Sequence, residues 1–145
     1  VYLVEFSIED QIKALAADAV ESVFAAVAMT PLADAPPAVA GLVNIHGNIL
    51  PVVSLRRHLG LPDRELRPSD RMLLVHGKTR AVVLLVDAVA GVLFVDDDRF
   101  VARKTLFPAE KNEGGVVLRD GDMILVDDLE RMLGARVGDA VFDMP

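Results

Sequence analysis

Residues 41–61 read GLVNIHGNILPVVSLRRHLGL, and this stretch decides the fold. Leu42, Val43 and Ile45 are apolar and lead into His46-Gly47-Asn48. Gly47 takes positive φ without a Cβ clash and Asn48 tolerates it, so the chain reverses here. Ile49, Leu50, Val52 and Val53 follow as a buried-strand run. Pro51 has no N–H to give to a ladder, which predicts an edge strand or a bulge at that point. Leu55 and Leu59 share one helical face, and Gly60 suits a helix stop. The reading is strand, tight turn, strand, short helix.

The pattern returns. From Gly121 the chain reads GDMILVDDLERMLG, against GNILPVVSLRRHLG from Gly47. Gly47, Val52, Leu55, Arg57, Leu59 and Gly60 match Gly121, Val126, Leu129, Arg131, Leu133 and Gly134. Upstream, LAADAVESVF from Leu15 aligns with LLVDAVAGVL from Leu84, with Asp18 over Asp87. Two pairs of units in the same order imply a duplicated architecture of two small modules. The period is too long for a solenoid.

The chain has 145 residues, 52% of them hydrophobic, enough for a real core and too apolar for global disorder. The net charge of −7 and the absence of Trp disfavour nucleic acid and anionic membrane as partners. No Cys is present, so there is no disulfide framework or thiolate zinc site, which agrees with a reducing compartment. No apolar run reaches the roughly 20 residues that span a bilayer. The opening VYLVEF lacks a signal peptide's basic region. It also lacks an initiator Met, so a trimmed chain or a piece of a longer one is expected.

In chain order, residues 1–8 read as a strand and Glu9-Asp10 as a turn. Residues 12–28 are rich in alanine, yet their better-patterned copy at 81–95 reads as two strands with a jog at Asp87. The same form is therefore expected in both, with a short turn near 17–20. Residues 29–39 hold three prolines and form an extended connector. Residues 62–70 are a surface loop, 71–75 a strand and 76–79 a hairpin turn. Residues 101–115 are polar and are expected to be the most mobile loop. A last hairpin turns at 119–122, and Asp127 or Asp128 caps a short helix ending at Gly134. Many short strands between glycine turns indicate a barrel or sandwich, and two copies indicate two barrels without a clean sequence boundary.

Catalytic constellations are not legible. Gly77-Lys78-Thr79 imitates the end of a P-loop, but Met72 stands where the motif needs its first glycine. His46, His58 and His76 lack close-spaced metal partners, and Asp96–Asp98 lacks the alternation of a calcium loop. Ser54 and Ser69 have no nucleophile context. His46 reads as a surface or interface group. An acidic binding module with exposed apolar edges is what remains.

The central stretch, with VVLLVDAV from Val82 and MILVDDLERML from Met123, resembles the CheW family of chemotaxis coupling proteins. That family's pattern is approximately G-V-x-N-L-R-G-x-I-x-P-V-x-D-L-R-x-x-L-G. The proline-bearing TPLADAPPAVAGLVN is similar to the connector before it. The resemblance implies an all-β fold with short helices, formed by two five-stranded SH3-like β-barrels around a shared core. It covers residues 1–135 as one domain and leaves 136–145 as a tail. It implies no catalysis, no cofactor, no metal, cytoplasmic location, and no nucleic acid or direct membrane insertion. Implied partners are the regulatory domain of a CheA-type histidine kinase and the cytoplasmic tip of a chemoreceptor. The receptor-interface candidates are Val20, Ser22, Gly41, Asn44 and His46.

Three positions depart from the pattern: His46 stands for the family arginine, Ser22 for an acidic residue beside Glu21, and Ser54 for an aspartate. The first two remove a positive and a negative group together; if those groups pair in the family, losing both costs less than losing one, because no lone buried charge remains. An intact fold with altered receptor contact is expected, as in a noncanonical chemosensory system, with pH dependence between about 5 and 8 if His46 lies at the interface. The alternative is a CheW-like regulatory domain excised from a longer CheA- or CheV-type protein. A small-ligand-binding β-barrel enzyme would need a polar pocket constellation that the sequence does not display.

Overall fold

The computed structural model describes residues 1–136. Strands β1 (Tyr2–Ile8) and β2 (Gln11–Ala16) form a hairpin around Glu9-Asp10. A 3₁₀ turn at Ala17–Ala19 leads to β3 (Val20–Ala25). Next come β4 (Val39–Ile45), β5 (Asn48–Ser54) and helix α1 (Leu55–His58). Strands β6 (Arg71–His76), β7 (Ala81–Val86) and β8 (Ala88–Phe94) follow. The chain closes with β9 (Phe100–Ala102), α2 (Arg103–Leu106), β10 (Gly115–Arg119), β11 (Asp122–Val126) and α3 (Leu129–Arg136).

The strands form two sheets, β3-β6-β7-β5-β4 and β8-β1-β2-β11-β10-β9. Each repeats the other. A hairpin, β4–β5 or β10–β11, joins a second hairpin through a parallel pair, β5–β7 or β11–β2. The third strand of each half is exchanged. β3 follows β2 but pairs with β6, while β8 follows β7 but pairs with β1. This crossing is why the repeated segments overlap two barrels and no cut in the sequence separates them. The second sheet carries one strand more than expected, the three-residue β9 beside β10.

Alternating side chains fill three apolar regions. Met72, Leu74, Val52 and Val83 pack inside the five-stranded barrel. Leu3, Ala14, Val117 and Ile124 pack inside the six-stranded one. Their neighbours, Leu73, Val75, Val82, Leu84, Val4, Phe6, Ile8 and Leu15, turn the other way into a shared core with Leu129, Met132 and Leu133 of α3. Strands buried on both faces need apolar residues at every position, which accounts for the unbroken runs MLLV and VVLLV.

Some local expectations need correction. Pro51 sits in an internal strand, opposite Leu42 of β4. The ladder to β7 starts one residue later, at Val52, so that ladder does not use the proline nitrogen. Gly134 does not end α3, which runs on to Arg136. A helix interior tolerates glycine at about 1 kcal/mol. Gly60, at φ 75°, does terminate α1: Gly60 N donates to Arg57 O and Leu61 N to Arg56 O, the two bonds of a Schellman end. Residues 101–115 contain part of β9 and all of α2, because Arg103 N bonds Gly114 O and ties the loop base together. The tail expected from residue 136 lies, apart from Arg136, outside the described residues.

Candidate functional site

The β4–β5 turn is built from its own side chains. His46 has φ 51° and Gly47 φ 88°, the two successive positive values that a type I′ hairpin requires. Asn44 Oδ1 accepts a hydrogen bond from Gly47 N at 2.7 Å and fixes the reversal. The second copy repeats the turn, with φ 42° at Asp120 and 88° at Gly121.

Strands β3 and β4 are the outer strands of the five-stranded sheet, and rolling the sheet brings them towards each other. One bridge, Thr30 with Leu42, closes part of the seam. Beside it lies a cleft of about 640 Å³ lined by Glu21, Ser22, Phe24, Asn44, Ile45, His46 and Leu74. A second cleft of about 400 Å³ shares Glu21, Ile45, His46 and Leu74, and adds Ile49, Leu50 and His76. Together they form one groove with an apolar floor and a polar rim, and Ile49 is 61% exposed on it.

Three of the five sequence candidates, Ser22, Asn44 and His46, meet in this groove. The other two lie outside it. Val20 packs against the shared core. Gly41 lies under the connector, where an added Cβ would stand 2.7 Å from Thr30 O, so its role is close backbone approach.

Two rim groups escape a reading of the sequence. The β3–β6 register slips between Val20 and Ser22, which leaves Glu21 as an extra, bulged residue. Such bulges re-aim a side chain. The Glu21 carboxylate lies 2.7 Å from His76 Nε2. The two residues are far apart in the chain, and β-bulges have no sequence signature of their own, so only the acidic neighbour of Ser22 pointed here.

A smaller cleft of about 250 Å³ lies between α1 and α3, lined by Lys13, His58, Asn112, Asp127, Asp128 and Arg131 among others. Lys13 Nζ is 3.3 Å from Asp127. Burial pushes the Asp127 carboxyl above its ordinary value, and the charge and hydrogen bond of Lys13, with the charge of His58, offset this only in part. No group of three or more His, Cys, Asp or Glu suited to a metal occurs among the described residues. None of their helices is long and apolar enough to cross a membrane.

A family model described as the CheW-like domain matches residues 3–137. The chain is 28% identical over 131 residues to a chemotaxis protein CheW of Thermotoga maritima, covering 90% of this chain and 86% of the relative. It is 34% identical over 95 residues to a chemotaxis protein CheW of Rhizobium meliloti, covering 66% of this chain and 61% of the relative. Among solved structures, the scaffolding protein TtCheW of Thermoanaerobacter tengcongensis superposes with a TM-score of 0.78 at 25% identity, covering 91% of each chain. By motif, by fold and by these relatives, the chain belongs to the CheW-like domain family, the chemotaxis coupling scaffolds.

Proposed function

We propose that this chain joins a chemoreceptor tip to a CheA-type histidine kinase in the cytoplasm and performs no chemical step itself. The observation that carries the receptor half is the seam groove, in which Ser22, Asn44 and His46 share a rim over Phe24, Ile45 and Leu74. An apolar floor between two outer strands suits an amphipathic helix laid along it. The kinase half rests on the six-stranded barrel. Tyr2, Val92 and Phe94 are exposed there at 61%, 68% and 57%, with the Tyr2 and Phe94 rings 5.0 Å apart. An apolar patch of this kind, on the outer strand β8 and its neighbour β1, suits barrel-to-barrel contact.

Separate pull-downs against a CheA regulatory domain and a receptor-tip helical hairpin test the two halves. Val92→Glu is expected to abolish capture by the kinase domain and spare the hairpin. Leu74 supports the core, so Ile49→Glu is the better groove variant, expected to lose the hairpin and keep the kinase domain. Loss of neither partner, or of both partners in each variant, would overturn this division.

A further inference from the structure

The seam groove of the five-stranded barrel has a counterpart in the six-stranded one. Glu21 is the extra residue between the paired Val20 and Ser22 of β3, and Ala90 is the extra residue between the paired Val89 and Gly91 of β8. The bridge of Thr30 with Leu42 recurs as the pairing of Val101 in β9 with Val116 in β10. The His46-Gly47 turn recurs as Asp120-Gly121, again with two positive φ values in succession. Beside this second seam lies a cleft of about 270 Å³, between the end of β8 and the β10–β11 turn. Leu93, Phe94 and Leu118 are its apolar side, and the Tyr2 ring packs on Phe94. The two seams share the bulge, the turn and the slot, and differ in the chemistry of the rim.

The rim of the second slot is acidic. Asp96 and Asp120 line it, and Asp97, Asp98 and Asp122 stand exposed beside them in the same two turns. Two arginines oppose these carboxylates. Arg119 is already spent, with both terminal guanidinium nitrogens on the Glu5 carboxylate. Arg99 is exposed on the rim, and the Val1 ammonium lies 3.6 Å from Asp97. Carboxylates remain in excess. Their summed field attracts a cationic surface and rejects an anionic one. Phe94 and Leu118, exposed at 57% and 48%, call for an apolar partner group at the same place. A protein segment with Lys or Arg next to a large apolar side chain supplies both. The slot also shares Phe94 with the surface assigned above to the kinase, so the two are continuous.

We propose that the seam slot of the six-stranded barrel is the charge-reading part of the kinase contact: it takes a segment of the kinase's regulatory domain in which Lys or Arg neighbours a large apolar side chain. This rests on the kinase-docking reading above and names the chemistry of that partner surface. Asp96, Asp98 and Asp120 are its specificity-determining residues, and Arg99 opposes the partner.

The test is the affinity of the full chain for a CheA-type regulatory domain at about 50 and 300 mM salt, since salt screens exposed charges. Contacts between exposed charges are individually weak, so Asp96→Asn with Asp98→Asn and Asp120→Asn should weaken binding about threefold to tenfold at the lower salt and less than about twofold at the higher. Asparagine tolerates the positive φ of position 120. Arg99→Gln should tighten binding about twofold at the lower salt, a gain that damage to the fold would not produce. Asp10→Asn with Asp34→Asn and Glu65→Gln changes the net charge equally at exposed carboxylates outside the slot, and should leave the affinity within about twofold of the parent. Circular dichroism checks that each variant is folded. Parent binding that ignores salt, a slot variant that binds as the parent does, or an equal loss in the distant variant would overturn the proposal and leave the kinase reading standing. Absence of parent binding at either salt would overturn both.

Discussion

Arg56 clasps Asp87 with two parallel hydrogen bonds, Nε to Oδ1 at 2.9 Å and Nη2 to Oδ2 at 2.7 Å. Asp87 is the residue at which the chain leaves the five-stranded sheet for the six-stranded one. Glu9 N donates to its Oδ2 at 2.8 Å, and Arg64 approaches its Oδ1 at 3.1 Å. Arg64 also forks onto Asp70, which binds loop 62–70 to the same junction. Asp18 holds the matching place at the other crossover, but it is exposed and outside this network. Asp87→Asn should therefore cost about 1–3 kcal/mol, since it weakens hydrogen bonds to charged groups that are largely withdrawn from water. Asp18→Asn should stay within about 0.5 kcal/mol of the parent. Urea unfolding of the two variants compares them directly, and equal midpoints would disprove the asymmetry.

The same junction sets the response to acid. Burial pushes the Asp87 carboxyl upward, but the Arg56 fork, the Glu9 N–H and the charges of Arg56 and Arg64 outweigh it and hold it below the ordinary value. Asp70 is likewise raised by burial and then carried below the ordinary value by the Arg64 fork and the Arg67 N–H. A depressed folded-state value contributes stability that is complete above the unfolded value, about 3.9, and is lost as pH falls through the folded one. Asp127 acts oppositely: its raised value erodes stability as pH rises through it. Carboxyl-resolved NMR on acidification should see Asp127 protonate before Asp70 and Asp87, with the melting temperature falling once pH drops below about 4. The reverse order of titration would contradict the burial argument.

Ser54 and Asp128 occupy equivalent places in the two repeats and do equivalent work. Ser54 Oγ accepts from Arg57 N at 3.3 Å, and Asp128 Oδ1 accepts from Glu130 N at 3.1 Å and Arg131 N at 3.4 Å. The loss of the family aspartate at Ser54 is thus conservative, because serine and aspartate both cap helices well. Ser54→Ala and Asp128→Ala should each cost about 1 kcal/mol, read as a shift in denaturation midpoint. A neutral Ser54→Ala would mean that the short α1 does not depend on its cap.

Gly41 and Gly47 separate close approach from backbone strain. At Gly41 an added Cβ meets Thr30 O at 2.7 Å, where Thr30 N and O both bond Leu42. At Gly47 nothing lies within 4 Å, but φ is 88°. Gly41→Ala should cost about 1–3 kcal/mol by forcing the connector away from β4. Gly47→Ala should cost roughly 1 kcal/mol through strain in the turn. Amide hydrogen exchange at Leu42 distinguishes them, since only Gly41→Ala should expose that amide. Unchanged protection in Gly41→Ala would show that the seam absorbs the methyl group.

Much of the fold was legible because its signals are local. The glycine turns, the aspartate cap of α3, the glycine stop of α1, the jog at Asp87 and the strand nature of the alanine-rich copy all follow from steric and hydrogen-bonding rules that act over a few residues. The places where the sequence misled are those where a distant neighbour decides. Pro51 fits an internal strand because the parallel ladder begins after it, and Gly134 lies within α3, whose Met132 and Leu133 sit in the shared core. Of the groove, Ser22, Asn44 and His46 were reached through motif positions, while Val20 packs against the shared core and Gly41 lies under the connector.

The amino-acid order alone determined two related β-modules and their hairpins, since periodicity and turn chemistry are written along the chain. Tertiary structure decided the rest. The exchange of β3 and β8, the meeting of Glu21 with His76 and the fork from Arg56 to Asp87 each join residues distant in sequence. Such contacts depend on how a sheet rolls and where a bulge turns a side chain, and no local pattern encodes either.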